Sequence, residues 1–236
     1  PLKLLRNASI NSLRRICCSF FSSSVNPSAF DFLYNSLTSV MDLCDSNPKQ
    51  AKAAIADFAD YLRGNLASLK TENLISFSTE LEHIEKYLRL EKLRYMDELE
   101  IIYDIHSKDF MLPALSVQPL VENAIKHGIT VKEEGGTVIL RSCKVDDKIK
   151  ISIIDDGVGF NFDEHIEDSK AHIGLMNVKT RIHYLLSAEM NIQSSKNGTT
   201  IEIIIDNLKV TRMEGYHVIV QNVELNVGDK ISENFN

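Results

Sequence analysis

Ile153-Ile154-Asp155-Asp156-Gly157-Val158-Gly159-Phe160 is the stretch from which the second half of this chain is read. An apolar run at strand spacing ends in an acid, and two glycines then flank a single residue. Glycine allows close backbone approach to a ligand. A carboxylate at a strand end can accept a hydrogen bond from an exocyclic amine such as adenine offers. Alone the pattern is weak, because Asp-Gly marks many turns.

Three other segments join it. Upstream lies Gln118-Pro119-Leu120-Val121-Glu122-Asn123-Ala124-Ile125-Lys126-His127-Gly128. On an α-helix Asn123, Lys126 and His127 share a face. An amide oxygen suits Mg²⁺ and a lysine suits phosphate. Glu122 is placed to orient a nucleophile or a water. Taken by itself, the segment is also what an ordinary polar helix face looks like. Downstream, His172-Ile173-Gly174-Leu175-Met176-Asn177-Val178 opens a helix, whose first amides favour an anion. The polar Asn161–Ala171 stretch before it has the size of a lid. Gly198-Thr199-Thr200 starts the last strand, where the threonines either touch a ligand or serve as β-branched strand residues.

Around these segments the periodicity predicts helices at 29–45 and 49–69, joined by a turn with Asn47 as cap and Pro48 as first residue. Thr79 and Glu82 have capping-box spacing and open a third helix reaching about Tyr95. Leu99–Ile105 reads as a strand and Ala114–His127 as a helix. Hairpins are expected at Thr137–Cys143 with Ile149–Ile154, and at Met190–Ser195 with Thr199–Ile205, with a helix Gly174–Leu186 between them. The class is α+β: an N-terminal helical hairpin, then a sandwich whose sheet is mostly antiparallel. The expected division is 1–97 helical, 98–206 ligand-binding, and 207–236 an extension of unknown role in which Tyr216–Val220 and Val223–Val227 have strand character.

The bulk properties exclude several classes. The chain has 236 residues, 44% hydrophobic and 25% charged, as soluble domains do. Its net charge of −7 lacks the basic footprint of a nucleic-acid binder. No apolar run is long enough for a membrane span. Cys17, Cys18, Cys44 and Cys143 show no metal-ligand spacing and suggest a reducing compartment. Residues 1–30 carry Lys3, Arg6, Arg14 and Arg15 and no acid. That fits a transit peptide, a juxtamembrane segment or a plain basic helix end. The chain starts at Pro1, so an upstream sensor or membrane anchor is expected, with this part at the cytoplasmic face.

Order and spacing together carry more than any one segment. LPALSVQPLVENAIKHGI, DDGVGF, HIGLMNVKTRI and GTTIEIII resemble the N, G1, G2 and G3 boxes of the Bergerat-fold (GHKL) ATPases. More narrowly, with ADYLRGNL and STELEHIEKYLRLEKLRYMDELEI, they resemble the LytS- and YesM-like sensor histidine kinases, over about Val25 to Asp206. The resemblance implies a two-component phosphotransferase that uses ATP and Mg²⁺, dimerises through its helical region and passes a phosphoryl group to a response regulator. It implies Asn123 as the Mg²⁺ ligand and Asp155 as the adenine-reading acid. Gly157 and Gly159 would line the base, and Gly174 with Leu175 would close the lid on the phosphates. Lys126, His127 and Asn177 would be further contributors, with Thr199 and Thr200 at the last box. His172 stands where the family often has glycine.

One departure concerns the phosphoacceptor. Where such kinases read Asn-Pro-His-Phe-Leu-Phe/Tyr-Asn, this chain reads Asn26-Pro27-Ser28-Ala29-Phe30-Asp31-Phe32-Leu33-Tyr34-Asn35. Ser28 or Asp31 takes the histidine's place according to which half of the motif is aligned, and no histidine precedes His83. The alternative function this raises is an ATP-binding pseudokinase that signals by conformation or through a partner.

Overall fold

The computed structural model describes residues 27–68, 74–160 and 170–206. The chain forms two compact units. Within the described residues, the first comprises those up to Arg63 together with Lys86–Met96, and the second comprises Gly64–Glu85 and those from Asp97 onward. Each is taken by itself.

The first unit is helical. Helix α1 spans Pro27–Ser46, α2 Pro48–Ser68 and α3 Phe77–Tyr95; the end of α2 from Gly64 and the first part of α3 to Glu85 belong to the second unit. Asn47 ends α1 and starts α2: its Oδ1 accepts from the Gln50 amide at 3.2 Å, the expected cap. Phe32 near the start of α1 packs on Phe58 and Tyr61 of α2, with the Tyr61 ring centroid 5.0 Å away, so α1 and α2 run antiparallel. Tyr87 of α3 closes the cluster at 5.2 Å from Phe32. Arg89 of α3 grips Asp57 of α2 through two bonds of 2.8 Å.

The second unit holds the sheet. Strand β1 is Leu74–Ser76, β2 Leu99–Ile105, β3 Met111–Pro113, β4 Gly136–Val145, β5 Lys148–Asp155, β6 Glu189–Ser195 and β7 Gly198–Asp206. Five of them form one sheet in the order β2-β4-β5-β7-β6, with β2 parallel to β4 and the other pairs antiparallel. Two helices are added. Helix α4, Gln118–Asn123, continues into wider π-type turns over Ala124–Ile129, and α5 is Lys170–Leu186. Alternation decides the faces. Val138, Leu140, Ile149, Ile151, Ile153, Ile201, Ile203 and Ile205 are buried on one face, and Leu120, Val121, Ile125, Leu175, Val178 and Ile182 supply the apolar sides of α4 and α5. The opposite face, with Ile139, Ile154 and Thr200, is only half-buried.

Four expectations change. Helix α5 starts at Lys170 and not at Gly174, so Gly174 lies within the helix and not among its free first amides. Helix α3 starts two residues before Thr79, and its cap is Ser76, whose Oγ accepts from the Thr79 amide at 3.1 Å. The helix expected from Ala114 starts at Gln118, because Leu115 takes a left-handed φ of 59° that breaks the helical path. The short ladder pairing β1 with β3 has too few residues to show a period and was not expected. The Asn161–Ala171 stretch as far as residue 169, and Tyr216–Val220 and Val223–Val227, lie outside the described residues. Among the described residues no helix is long and apolar enough to cross a membrane.

Candidate functional site

Strand β5 delivers Asp155 at its end on the buried face, in line with Ile151 and Ile153. The acid is 6% exposed. Its Oδ1 accepts from the Gly157 amide at 3.0 Å, which folds the following loop back over the carboxylate. Burial pushes its pKa up from 3.8 to about 6, helped by neighbouring Asp156, while hydrogen bonds from the Gly157 and Thr199 amides pull the other way.

The surrounding walls are glycine backbone. A Cβ on Gly128, at the end of the α4 turns, would lie 2.7 Å from Asp155 Oδ1. A Cβ on Gly157 would lie 2.3 Å from the Gly128 carbonyl carbon, and one on Gly198 would lie 2.0 Å from the Asp155 carbonyl oxygen. Two separated segments therefore close on the end of β5, Gly128 on the Asp155 carboxylate and Gly198 on its main-chain carbonyl, and Gly157 closes on Gly128. Gly159, with φ 59°, faces the Ser195 carbonyl in the same way. The Phe160 amide then donates to Ser194 Oγ at 2.8 Å, and that hydroxyl is 2.9 Å from Thr199 Oγ1. Gly157 and Gly159 thus allow approach of chain to chain, in addition to the approach of chain to ligand argued from sequence.

The fourth segment comes in through α5. Asn123, half-buried on α4, has its Nδ2 4.0 Å from the position a Cβ on Gly174 would take. Glu122 accepts from Gln118 Nε2 at 2.8 Å, and that nitrogen also reaches Asn65 Oδ1 at 3.1 Å. Leu175 is 4% exposed and packs in the core, while Asn177 is exposed. Lys126 and His127 are exposed as well. They fall in the π-type stretch, where the Thr130 amide bonds the Ile125 carbonyl five residues back, so the α-helical stacking expected with Asn123 does not apply. The two threonines part. Register sets Thr199 opposite Asp155 and Thr200 opposite Ile154, so Thr199 is buried beside the acid and Thr200 faces the other side of the sheet. An open cavity of about 560 Å³ is lined by Thr137, Ile139, Ile154, Gln193 and Thr200, and Asp155, Asp156 and Thr199 also border it.

Residues that the sequence did not single out complete the arrangement. Glu80 of α3, 1% exposed, accepts from the Val117 and Gln118 amides at 2.6 and 3.1 Å. Burial raises its pKa to about 7 against the pull of those amides and of Arg181. In the sequence Glu80 looks like one more acid on a charged helix, and only the contact with the start of α4 sets it apart. Gly128 was within the quoted segment, and its spacing after Asn123 was the available signal.

A buried acid walled by glycines, with a helix amide beside the next helix, fits an adenine nucleotide: one polarised acceptor for the base and an oxygen donor for a hard cation. The fold and this site define a member of the histidine kinase family with the ATPase domain shared by gyrase B and HSP90, and the chain belongs to that family. Residues 18–99 match the Histidine kinase family, and residues 112–209 match the Histidine kinase-, DNA gyrase B-, and HSP90-like ATPase family. The Bacillus subtilis (strain 168) protein YwpD is 32% identical over 208 residues, 85% of this chain and 74% of YwpD. The sensor histidine kinase YpdA of Escherichia coli (strain K12) is 34% identical, over 78% of this chain and 33% of YpdA. The sensor histidine kinase/phosphatase LytS of Staphylococcus aureus (strain Mu50) is 28% identical, over 86% of this chain and 35% of LytS. The chain thus spans about a third of the length of those two sensor kinases. The solved histidine kinase domain of Erythrobacter litoralis EL346 aligns with a TM-score of 0.46 at 16% identity, over 67% of this chain and 87% of that one.

Proposed function

We propose that this chain is the kinase core of a sensor histidine kinase, binding Mg-ATP and passing the γ-phosphoryl group along a phosphorelay to a response regulator. The observation that carries the reading is the meeting of Gly128, Gly157 and Gly198 around the buried Asp155. Asp155 accepts from the exocyclic amine of adenine. Asn123 offers its amide oxygen to Mg²⁺, which when bound spreads the charge of the phosphates. Glu122, held by Gln118, orients the acceptor group. Thr199 buttresses Asp155 from the neighbouring strand, and the first amides of α5 favour the phosphates. Residues 1–97 form the dimerising and acceptor-bearing region, 98–206 the nucleotide domain, and 207–236 an extension. The full protein sits at the cytoplasmic face of the membrane, anchored by upstream segments.

Nucleotide titration with and without Mg²⁺ tests the first half. Micromolar binding enhanced by the metal is expected, and no binding in either condition would overturn the reading. Incubation with γ-labelled ATP tests the second. Label on the chain or on an added regulator is expected, and its acid and alkali stability identifies histidine, aspartate or serine as the acceptor. Nucleotide binding with no label on either protein would remove phosphotransfer.

A further inference from the structure

Three costly features coincide where α4 begins. Glu80 is a buried carboxylate brought in from α3, outside residues 112–209 that match the ATPase family. Leu115 holds a left-handed φ of 59°, which bulky residues rarely adopt. Arg181 of α5 is half-buried, donates to the Leu115 carbonyl, and faces Glu80. Ser116 Oγ ties the same turn by donating to the Pro113 carbonyl at 2.6 Å. Among the described residues, Glu80 Oε2, Gln118 Oε1 and Arg181 Nε have no hydrogen-bond partner. An apolar plug of the same shape would join these elements at less expense, since buried charge is a poor stabiliser. What charge adds is direction. The two amides that Glu80 holds belong to Val117 and Gln118, at the head of the helix that carries Glu122 and Asn123, and the Gln118 side chain reaches on to Glu122.

We propose that Glu80 is a positioning residue for the nucleotide reaction: its carboxylate, holding the Val117 and Gln118 amides beside the turn that Arg181 of α5 grips at the Leu115 carbonyl, fixes the helix of Glu122 and Asn123 and so places the metal-ligating amide. This rests on the nucleotide reading above. The adenine acid Asp155 hangs on β5 and its neighbour β7 and meets the α4 turns only at Gly128, their far end from the amides that Glu80 holds. The metal side hangs on α4, whose head Glu80 holds. The linker helix α3 therefore supplies a residue on which metal-dependent binding turns.

The test uses the full chain and Glu80→Gln, which keeps an oxygen for the two amides and removes the charge facing Arg181. Affinities for Mg-ATP and for metal-free ADP are measured for both forms. Glu80→Gln is expected to weaken Mg-ATP by about tenfold, the order of one charge-assisted contact, and to leave metal-free ADP nearly unchanged. Equal weakening of both, or of neither, would overturn the proposal. Hydrogen exchange gives a readout that needs no nucleotide. In Glu80→Gln the amides of 120–124 should exchange faster while those of β5 do not, and unchanged exchange at 120–124 would overturn the proposal even where the wild-type chain binds no nucleotide. Absence of wild-type binding, by contrast, strikes the nucleotide reading itself.

Discussion

Gly157→Ala would set a methyl carbon 2.3 Å from the Gly128 carbonyl carbon, 2.4 Å from its Cα and 2.5 Å from its oxygen. Carbon contacts become favourable near 3.5 Å, so the loop and the end of the α4 turns must separate by about 1 Å. All three atoms are backbone, and no side chain can swing aside. The hydrogen bond from the Val158 amide to the Gly128 carbonyl, 3.2 Å long, goes with the separation. Overpacking of this kind costs about 1–3 kcal/mol and the lost bond about 1 kcal/mol, so the variant should lose roughly 2–4 kcal/mol. For a chain of this size that is a fall of roughly 5–15 °C in the melting temperature of the sheet unit. Nucleotide affinity should fall as well, because the Gly157 amide, in the loop that moves, donates to Asp155. The control is Gly174→Ala. Its new Cβ meets only Asn123 Nδ2, at 4.0 Å, an ordinary contact, and alanine favours the helix by up to about 1 kcal/mol. Thermal melting followed by circular dichroism separates the two. Equal melting temperatures for the variants would refute the claim that these segments are held at backbone contact.

Other outcomes follow from the same site. With its pKa near 6, Asp155 is ionised and able to accept at pH 7–8 but takes a proton below 6, so nucleotide affinity should drop by up to about tenfold per unit under that point. The fold responds with the opposite sign: because the folded value lies above 3.8, this group adds stability as pH falls from about 6 toward 4. Calorimetric titration across pH 5–8 checks the first, and a flat profile contradicts it. Asn123→Ala should abolish the Mg²⁺ enhancement of ATP binding while metal-free ADP still binds, measured by the same titration. Ser76→Ala removes the cap of α3 and should cost about 1 kcal/mol in urea unfolding, whereas Glu82→Ala, on the capping box expected from sequence, should cost much less.

What could be seen in the sequence was what repeats locally. Apolar and β-branched composition placed β2 at Leu99–Ile105 to the residue, and alternation placed both hairpins within about two residues, because a face packed on helices and a half-buried face impose period two there. Asn47 was legible because its cap is a contact within three residues. The N-terminus of α4 was not. Ala114-Leu115-Ser116 has helical composition, and the left-handed turn at Leu115 is stabilised by Arg181, distant in sequence. The π-type turns over Ala124–Ile129 have no compositional mark either, and they change which residues stack beneath Asn123. Thr199 and Thr200 looked equivalent, since pairing register and not residue type decides which one lies beside Asp155.

The glycines bear on why the acid at 155 is suited to its proposed ligand. A carboxylate in water accepts from anything. At Asp155 the carboxylate meets the backbone of Gly128, its main-chain carbonyl meets Gly198, and one oxygen is already engaged by the Gly157 amide. Side chains at 128, 157 or 198 would push those walls apart and admit water, which would return the pKa toward 3.8 and weaken discrimination. Removing the side chains brings the walls in and desolvates the acid. The remaining acceptor capacity is then directed at a donor that enters edge-on, as the amine of a flat base does. A hydroxyl-bearing or charged donor would lose more solvation on entering than it regains from one partly engaged carboxylate. The spacing Asp155-x-Gly157-x-Gly159 is therefore a packing requirement first, and the proposed base selectivity would follow from the packing.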